Sequence, residues 1–429
     1  MYASRSSGPS GPSRRHRPLV ALACWLVLAS AAATSAAAQD CVECHTEITP
    51  HIVQDWRLSR HAAEEIGCDA CHGDGHTTPD DIAEVSLPTP ETCAGCHAEQ
   101  VEQFGRGKHA LAWAAMQAMP TTHHLPEALR EGQKGCGGCH KLGLKSEADL
   151  EKLKAAGAGF GVASCDACHT RHLFSVEEAR QPQACQTCHM GFDHPHWEMY
   201  SSSKHGVRHA LKQVGTLPDE AAAPTCQTCH MQDGNHEVRT AWGFLAVRLP
   251  LAEDPEWRAD QVTILQALGV LDLEGNPTPR LDVVKQADVA RLTQEAFDAE
   301  RQKMIVTCNE CHSIHFAIEQ LERGDEMIRE SDRLLAAAIR EVAALYEDGV
   351  LRKPDSYAQA FPDLLAFHDA PTAVEQRLFE MHLKHRMRAF QGVFHANPDY
   401  ALWYGWSEMV RDLQEIKEMA LELRARRTE

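Results

Sequence analysis

The sequence predicts a mainly α-helical protein with two regions of different character. Residues 39–315 carry eight copies of the motif Cys-x-x-Cys-His, and the short segments between most of them leave room only for short helices and loops. Residues 316–429 lack the motif, and their apolar residues recur at the spacing of amphipathic helices. We therefore expect short helices and loops first, followed by a C-terminal bundle of long helices that forms a subunit interface.

The first 38 residues predict a secretory signal segment. Arg14, Arg15 and Arg17 form a basic start, residues 19–28 are apolar, and three alanines ending at Ala38 form a small-residue cleavage site. An uncleaved membrane anchor is the alternative, but the apolar run is shorter than the roughly 20 residues that a spanning helix needs. We expect cleavage near Ala38 and a periplasmic mature protein without a transmembrane segment.

Each of the eight motifs has the spacing of a haem c attachment site. In such a site the two cysteines bond to the haem and the adjoining histidine binds the iron. A zinc site or a redox dithiol would not require a histidine after every pair, so the chain is predicted to be a multihaem cytochrome c with eight haems. The attachment residues are Cys41, Cys44, Cys68, Cys71, Cys93, Cys96, Cys136, Cys139, Cys165, Cys168, Cys185, Cys188, Cys226, Cys229, Cys308 and Cys311. The proximal iron ligands are His45, His72, His97, His140, His169, His189, His230 and His312.

Longer helices are predicted after the seventh motif. Apolar spacing predicts helices near 256–268 and 281–306, with the turn-rich residues 273–277 between them. Gly349 is a predicted helix cap. One apolar stripe before it comprises Ile328, Leu335, Ile339, Val342 and Tyr346, and a second near the end of the chain comprises Met409, Leu413, Ile416, Ala420 and Leu423. Both stripes are typical of a core or a subunit interface.

The charge balance limits the class of partner. Without the four arginines of residues 1–38, 38 of the 42 basic residues remain against 61 acidic residues, which is a net charge of −23. This balance argues against nucleic acid and favours a soluble cytochrome with a basic face as the electron-transfer partner.

A second histidine on each iron would make a closed electron relay, whereas an open sixth position would make a catalyst. Histidines in short segments beside the motifs are the candidate distal ligands, and seven of them suffice for seven closed haems. They are His61, His76, His109, His172, His205, His236 and His315. His382 and His385 share a face of a C-terminal helix and are either further ligands or core residues, and His123 and His124 are equally ambiguous.

Several segments resemble octahaem hydroxylamine oxidoreductases. The most specific is the run from Cys185 to Pro195, which includes Asp193 and His194 and is followed by Ser203 to Gly206. Cys165 to His172, Ala389-Phe390, Asn397 to Tyr400 and Trp403 to Gly405 are similar to the same family. Together with the motif count, the resemblance extends over most of the predicted mature chain.

The resemblance implies one catalytic haem on the fourth motif, with proximal His140 and an open distal side. Asp193 and His194 would reach over that side and act as general bases. The alternatives are a capping role for Asp193 and iron ligation by His194, with His196 as a weaker competitor for the catalytic role. The resemblance also implies that Tyr400, or else Tyr404, bonds to the catalytic haem of a neighbouring subunit in a homotrimer.

The predicted function is therefore oxidation of hydroxylamine to nitric oxide or nitrite, with seven haems that relay electrons to a soluble cytochrome. Hydrazine oxidation is a close alternative on the same scaffold, and reduction of nitrite or hydroxylamine to ammonia is a more distant one. A protein of another class, a non-catalytic electron carrier, would have every iron closed by two histidines. An octahaem enzyme of sulfur compounds would need a lysine or cysteine at the open iron, and Lys141 and Lys145 are candidates.

Overall fold

The computed structural model describes residues 36–119, 122, 125–130, 135–155, 164–238, 240, 251–286, 292–353, 355, 362–366 and 370–428. Residues 1–35 of the predicted signal segment, His123 and His124 lie outside these ranges. Helices account for 69% of the structure, and no strand occurs among the described residues, so the prediction of a mainly α-helical fold is confirmed. No described helix is both long and apolar enough to cross a membrane.

Short helices make up the region that carries the motifs. The α-helices there are Ala36–Ile48, Pro50–Leu58, Arg60–Ala63, Asp69–His72, Pro90–Arg106, Ala112–Ala118, Glu127–Arg130, Cys136–His140, Glu147–Ala155, Val176–Ala179, Gln183–Gln186, His196–Ser202, Lys204–Gln213 and Cys226–His230. The 3-10 helices are Pro79–Glu84, Lys108–Leu111, Cys165–Ala167 and Gln232–Gly234. Few of these helices are long enough to be stable without tertiary contacts.

The motifs form helical turns, some of them within longer helices such as Ala36–Ile48 and Pro90–Arg106. In the second, fifth, sixth and eighth motifs the backbone N–H of the histidine donates to the carbonyl of the first cysteine over 2.9–3.0 Å. Residues three and four positions apart share one face of a helix. The turn therefore brings both cysteines and the histidine of a motif to the same side, which is the arrangement that one haem requires.

The helices after the seventh motif include the two longest that the structure describes. These helices are Pro255–Ala267, Pro279–Gln286, Gln294–Asn309, Ile314–Glu347, Ala373–Glu380, Met387–Phe394, Pro398–Ala401 and Ser407–Thr428, with π-helical turns at Met381–Arg386 and Leu402–Trp406. The predicted helix near 256–268 is confirmed. The single helix predicted near 281–306 is wrong, because two helices occupy this range and residues 287–291 between them are not described.

The long helix Ile314–Glu347 has a defined start and end. The Ser313 hydroxyl accepts a hydrogen bond from the backbone N–H of Phe316 over 3.2 Å, which satisfies a donor of the first turn. At the other end Gly349 adopts a φ of +65° and its N–H donates to the carbonyl of Tyr346 over 3.0 Å. This is the left-handed conformation that favours glycine after a helix, so the predicted cap is confirmed.

The two predicted apolar stripes meet in one core. Leu335, Ile339 and Val342 of the long helix belong to the same buried cluster as Met409 and other residues of the final helix Ser407–Thr428. Each fully buried aliphatic side chain contributes about 1.5–3 kcal/mol relative to an exposed one. The C-terminal helices therefore stabilise each other by side-chain packing, and the stripes contribute to the core of one chain, with Ile328 in a second buried cluster.

Replacing Asp332 with alanine is expected to lower the free energy of unfolding by about 3–5 kcal/mol, because it removes the carboxylate that pairs with the buried Arg386 guanidinium. The Arg386 to Asp332 distance is 2.6 Å, and the Trp257 indole donates to the second carboxylate oxygen over 2.8 Å. The same change at the exposed Glu330, which pairs with Arg333, should cost less than about 1 kcal/mol. Denaturant unfolding followed by helical circular dichroism measures both values, and equal losses would contradict the expectation.

Candidate haem-binding and active site

Six of the motif histidines each face one of the histidines predicted as distal ligands. An iron atom with two imidazole nitrogens at about 2.0 Å on opposite sides holds the ring centres about 6 Å apart. The observed separations are 6.0–6.3 Å, for the pairs His45 and His76, His97 and His61, His72 and His172, His189 and His109, His169 and His236, and His312 and His205. These pairs have the spacing that fits one haem iron between the two rings.

The seventh pair differs from the sequence-based prediction. The ring that faces His230 belongs to His395, with centres 6.5 Å apart. His315 is exposed in the first turn of the long helix. Its closeness to the eighth motif in sequence suggested a ligand, but the eighth motif histidine, His312, already faces His205. We therefore propose His395, in place of His315, as the seventh candidate distal ligand.

His382 and His385 lie inside the C-terminal bundle. The Nδ1 atom of His385 is 2.5 Å from a carboxylate oxygen of the fully buried Asp412. His382 is fully buried, neither of its ring nitrogens has a hydrogen-bond partner among the described residues, and burial lowers its pKa to about 3. Both side chains are parts of the core rather than members of the facing pairs.

His140 is the exception among the motif histidines. No ring contact found among the described residues involves it, whereas the other seven each face a histidine. Burial lowers the pKa of His140, and so does the nearby charge of His194, while the carboxylate of Asp193 acts in the opposite direction. The groups close to this histidine are thus the acid and imidazole pair that the sequence singled out.

Asp193 and His194 form a close ion pair. The His194 Nδ1 atom is 2.5 Å from a carboxylate oxygen of Asp193, and its Nε2 atom is 2.8 Å from the carbonyl oxygen of Cys188. Burial by itself would lower the pKa of His194, but the hydrogen bond and charge of Asp193 outweigh it and raise that pKa. Burial would likewise raise the pKa of Asp193, yet its hydrogen bond to His194 keeps the pKa below its ordinary value. Both partners of the ring are oxygen atoms that accept hydrogen bonds, and this arrangement stabilises the charged imidazole, which has a donor on each ring nitrogen.

The C-terminal helices hold the loop that carries this pair. The Gln391 side-chain amide donates to the backbone carbonyl of Asp193 over 3.0 Å. The Asn397 amide donates to the carbonyl of Met199 and to the Ser202 hydroxyl, each over 2.8 Å. Sequence reasoning missed Gln391 as a site residue and noticed Asn397 only as part of a resembling segment. Both contacts span more than 190 residues, so no local pattern indicates them.

Neighbouring motifs touch through their cysteines. Hydrogen-bonding contacts join Cys139 of the fourth motif to Cys188 of the sixth, Cys185 of the sixth to Cys226 of the seventh, and Cys93 of the third to Cys165 of the fifth. The sixth motif is therefore adjacent to both the fourth and the seventh. Haems attached at these positions would lie next to one another in the same order.

Two tyrosines and two lysines are the remaining candidates from the sequence. The rings of Tyr400 and Tyr404 are 5.1 Å apart, and Tyr404 is 52% exposed on the surface of the protomer beside the 62% exposed Trp403. Lys141 is buried, and the Lys145 ammonium donates to the carbonyl of Gly143 over 2.7 Å. Burial lowers the pKa of Lys145 to about 8. A lysine bound in this way does not by itself support an enzyme of sulfur compounds.

Comparisons with known proteins agree with this geometry. The family described as "Seven times multi-haem cytochrome CxxCH" matches residues 64–249 and 280–356, and the family "Cytochrome c554 and c-prime" matches residues 27–73. The chain is 26% identical to a "Probable nitrite reductase-hydroxylamine oxidoreductase fusion protein" of Kuenenia stuttgartiensis over 90% of its own length. It spans about half of that relative, 51% of whose length is covered.

Two solved structures have a similar fold. The chain is similar to a chain of the "reducing HAO-like protein complex" of Kuenenia stuttgartiensis, with a TM-score of 0.64, 27% identity, and coverage of 90% of this chain and 85% of that one. A "Hypothetical multiheme protein" has a TM-score of 0.67 at 20% identity, with 92% and 97% of the two chains covered. The motifs, the facing histidines and the family match over more than half of the sequence lead to one conclusion: the chain belongs to the multihaem c-type cytochromes, and it is related to the hydroxylamine oxidoreductase-like proteins.

Proposed function

We propose that the chain is an oxidoreductase that acts on hydroxylamine or nitrite beside His140, at a haem attached through Cys136 and Cys139. One observation carries this proposal: His140 has the Asp193 and His194 pair close to it, whereas the other seven motif histidines each face an imidazole. Two histidines close an iron to substrates, and a single histidine leaves a position for one. The bound haem would supply the iron that holds the nitrogen compound and exchanges electrons with it.

Asp193 and His194 would supply protons to the bound substrate. Reduction of hydroxylamine to ammonia and water consumes two electrons and two protons as the N–O bond breaks. Asp193 and the carbonyl of Cys188 stabilise the form of His194 that carries protons on both ring nitrogens. A charged imidazole beside the substrate is a proton donor, so the pair favours the reductive direction. The 27% identical Kuenenia stuttgartiensis complex is described as "reducing", which supports the same direction.

Oxidation of hydroxylamine to nitric oxide or nitrite is the second candidate, with hydrazine oxidation as its close variant. The placement of Tyr400 and Tyr404 beside the exposed Trp403 supports it, because a bond to the haem of a neighbouring subunit requires a tyrosine near the protomer surface. In this direction His194 would have to lose a proton before it could accept one from the substrate. This oxidative candidate function includes assembly into a homotrimer, because the tyrosine would bond to the haem of a neighbouring subunit.

The reductive and oxidative candidate functions share the same electron relay, partner and location. We propose that the other seven haems relay electrons between the site at His140 and a soluble cytochrome, through the neighbouring motifs whose cysteines touch. The net negative charge of the chain favours a partner with a basic face. A periplasmic location with cleavage of the signal segment near Ala38 is part of the same proposal.

Spectroscopy and peptide analysis of the haem-loaded protein test the proposal. We expect electron paramagnetic resonance of the oxidised protein to reveal one high-spin haem for every seven low-spin haems, because His140 is the one motif histidine that faces no imidazole within the described part of the chain. Hydroxylamine should be converted to ammonia when reduced viologen supplies electrons, and peptides with Tyr400 and Tyr404 should be free of haem.

Three other outcomes are informative. A haem-linked Tyr400 or Tyr404 peptide, together with hydroxylamine-dependent reduction of a cytochrome, would move oxidation to first place. Absence of any high-spin signal would contradict both directions and leave the non-catalytic electron carrier. Turnover of sulfite or tetrathionate without turnover of nitrogen compounds would overturn the proposed substrate class.

A further inference from the structure

His196 lies between the candidate ligands of two different haems. Its ring centre is 5.1 Å from that of His189, the sixth motif histidine, with an angle of 32° between the ring planes. On the other side it is 5.1 Å from the ring of His395 at 30°, and His395 faces the seventh motif histidine, His230. His196 itself does not have the spacing of an iron-bridged pair with either ring, because 5.1 Å is about 1 Å too short for one.

A hydrogen bond defines how His196 acts on His189. The Nδ1 atoms of the two rings are 2.9 Å apart. A histidine that binds iron through Nε2 carries its remaining proton on Nδ1 and donates it, which fixes the direction of this bond. His196 is therefore the acceptor and carries its own proton on Nε2. Metal-binding histidines usually donate to a carboxylate, a carbonyl or water, and here the acceptor is an imidazole nitrogen.

The local fold holds His196 in this position. It is the first residue of the helix His196–Ser202 and follows the buried Pro195. The backbone N–H of the next residue, Trp197, donates to the backbone carbonyl of His189 over 2.9 Å. Backbone and side chain thus both connect the start of this helix to the sixth motif. The Asn397 contact to Met199 fixes the same helix from the C-terminal side.

We propose that His196 is a positioning residue that lowers the reduction potential of the haem bound by His189. An acceptor on the Nδ1 proton makes the ligand more basic, and a more basic ligand stabilises ferric over ferrous iron. This inference rests on the iron ligation in the proposed function and not on the direction of catalysis. Because Cys188 touches Cys139, the haem concerned is the neighbour of the site at His140.

A low reduction potential of the haem bound by His189 favours the reductive direction of the proposed reaction. Electrons that reach the site at His140 through the sixth motif come from the haem that His196 adjusts. A more negative potential there favours electron transfer towards the substrate, which is the direction that the protonated His194 also favours. The ring contact between His196 and His395 joins the same residue to the candidate ligand of the next haem, at the seventh motif.

Two variants separate the effect of the His196 hydrogen bond to His189 from the effect of its ring contacts. His196→Phe keeps an aromatic ring but has no acceptor, whereas His196→Asn loses the ring and keeps a side-chain oxygen near the position of Nδ1. In a redox titration monitored by electron paramagnetic resonance, His196→Phe should shift one low-spin component to a more positive potential. His196→Asn should leave that component close to its original potential. His315→Phe, at an exposed position, should move none.

Further measurements assign the shifted component and limit the interpretation. His109 faces His189, so His109→Ala should convert that same component to high spin. Equal shifts in His196→Phe and His196→Asn, or no shift in either, would overturn the proposal. These outcomes are distinguishable from a failure of the proposed function. If the protein had no high-spin haem or no turnover, the reduction potential of the haem bound by His189 could still be measured.

Discussion

Asp193→Asn is expected to lower kcat for hydroxylamine reduction by about 10²- to 10⁴-fold, the usual contribution of a positioned proton donor or acceptor. Asparagine keeps the shape of the side chain but removes the charge that pairs with His194 over 2.5 Å. His194 then loses the interaction that favours its protonated form, and burial, which opposes that form, becomes dominant. Haem content and the low-spin spectrum should stay unchanged, because Asp193 belongs to no facing pair.

The matched control is Asp399→Asn, the same change at an exposed acid in the Asn397–Tyr400 segment. It should retain activity within about twofold of the wild-type value, since surface substitutions have small effects. Steady-state rates with a reduced viologen as donor measure both variants. A similar loss in both would mean that the effect arises from the surface charge of the protein, and full activity in Asp193→Asn would remove Asp193 from the proposed site.

The pH dependence follows from the same ion pair. The pKa of His194 is raised above its ordinary value of about 6.5. Reduction requires the protonated ring, so activity should be present below this raised pKa and fall as pH rises through it. In Asp193→Asn the remaining activity should fall at a lower pH, because the pKa of His194 is no longer raised. An unchanged pH profile would show that another group donates the proton.

Most of the haem-binding framework could be predicted from the sequence because haem c attachment depends on local spacing. Cys-x-x-Cys-His forms one helical turn, and six of the histidines that face a motif histidine, such as His76 and His172, lie close enough to a motif in the sequence to be proposed as distal ligands. The C-terminal helices were predictable for the same reason, since apolar periodicity and Gly349 are local signals. The pair of Asp193 and His194 was found only because a longer run resembled a known family.

The remaining features depend on packing between distant segments. His395, Gln391 and Asn397 come from the C-terminal helices and contact residues near 190–230. Nothing in the sequence around them indicates a ligand or a positioning contact, because the partner is defined only when the bundle packs against the motif region. His315 is predicted as a ligand from its closeness to a motif along the chain, and that criterion does not detect a candidate such as His395, which tertiary structure places opposite His230.

His395→Ala should double the high-spin fraction of the oxidised protein, from one haem to two of the eight that the motifs predict. His395 is the only histidine of the C-terminal helices that faces a motif histidine among the described residues. Alanine leaves the position opposite His230 without an imidazole, so that iron should bind water or an added ligand instead. Free imidazole should restore the low-spin signal, which separates loss of a ligand from loss of structure.

His315→Ala is the control that decides between the two assignments of the seventh ligand. Its side chain is exposed, and the nearby His312 already faces His205, so the high-spin fraction should stay at one haem. A new high-spin signal in His315→Ala, with none in His395→Ala, would restore the ligand that sequence proximity suggested. Such a result would also mean that His395, the ring beside His196, binds no iron. His196 could then affect only the haem of the sixth motif. The expected result instead makes the C-terminal helices part of the electron relay, because one of them would supply an iron ligand directly.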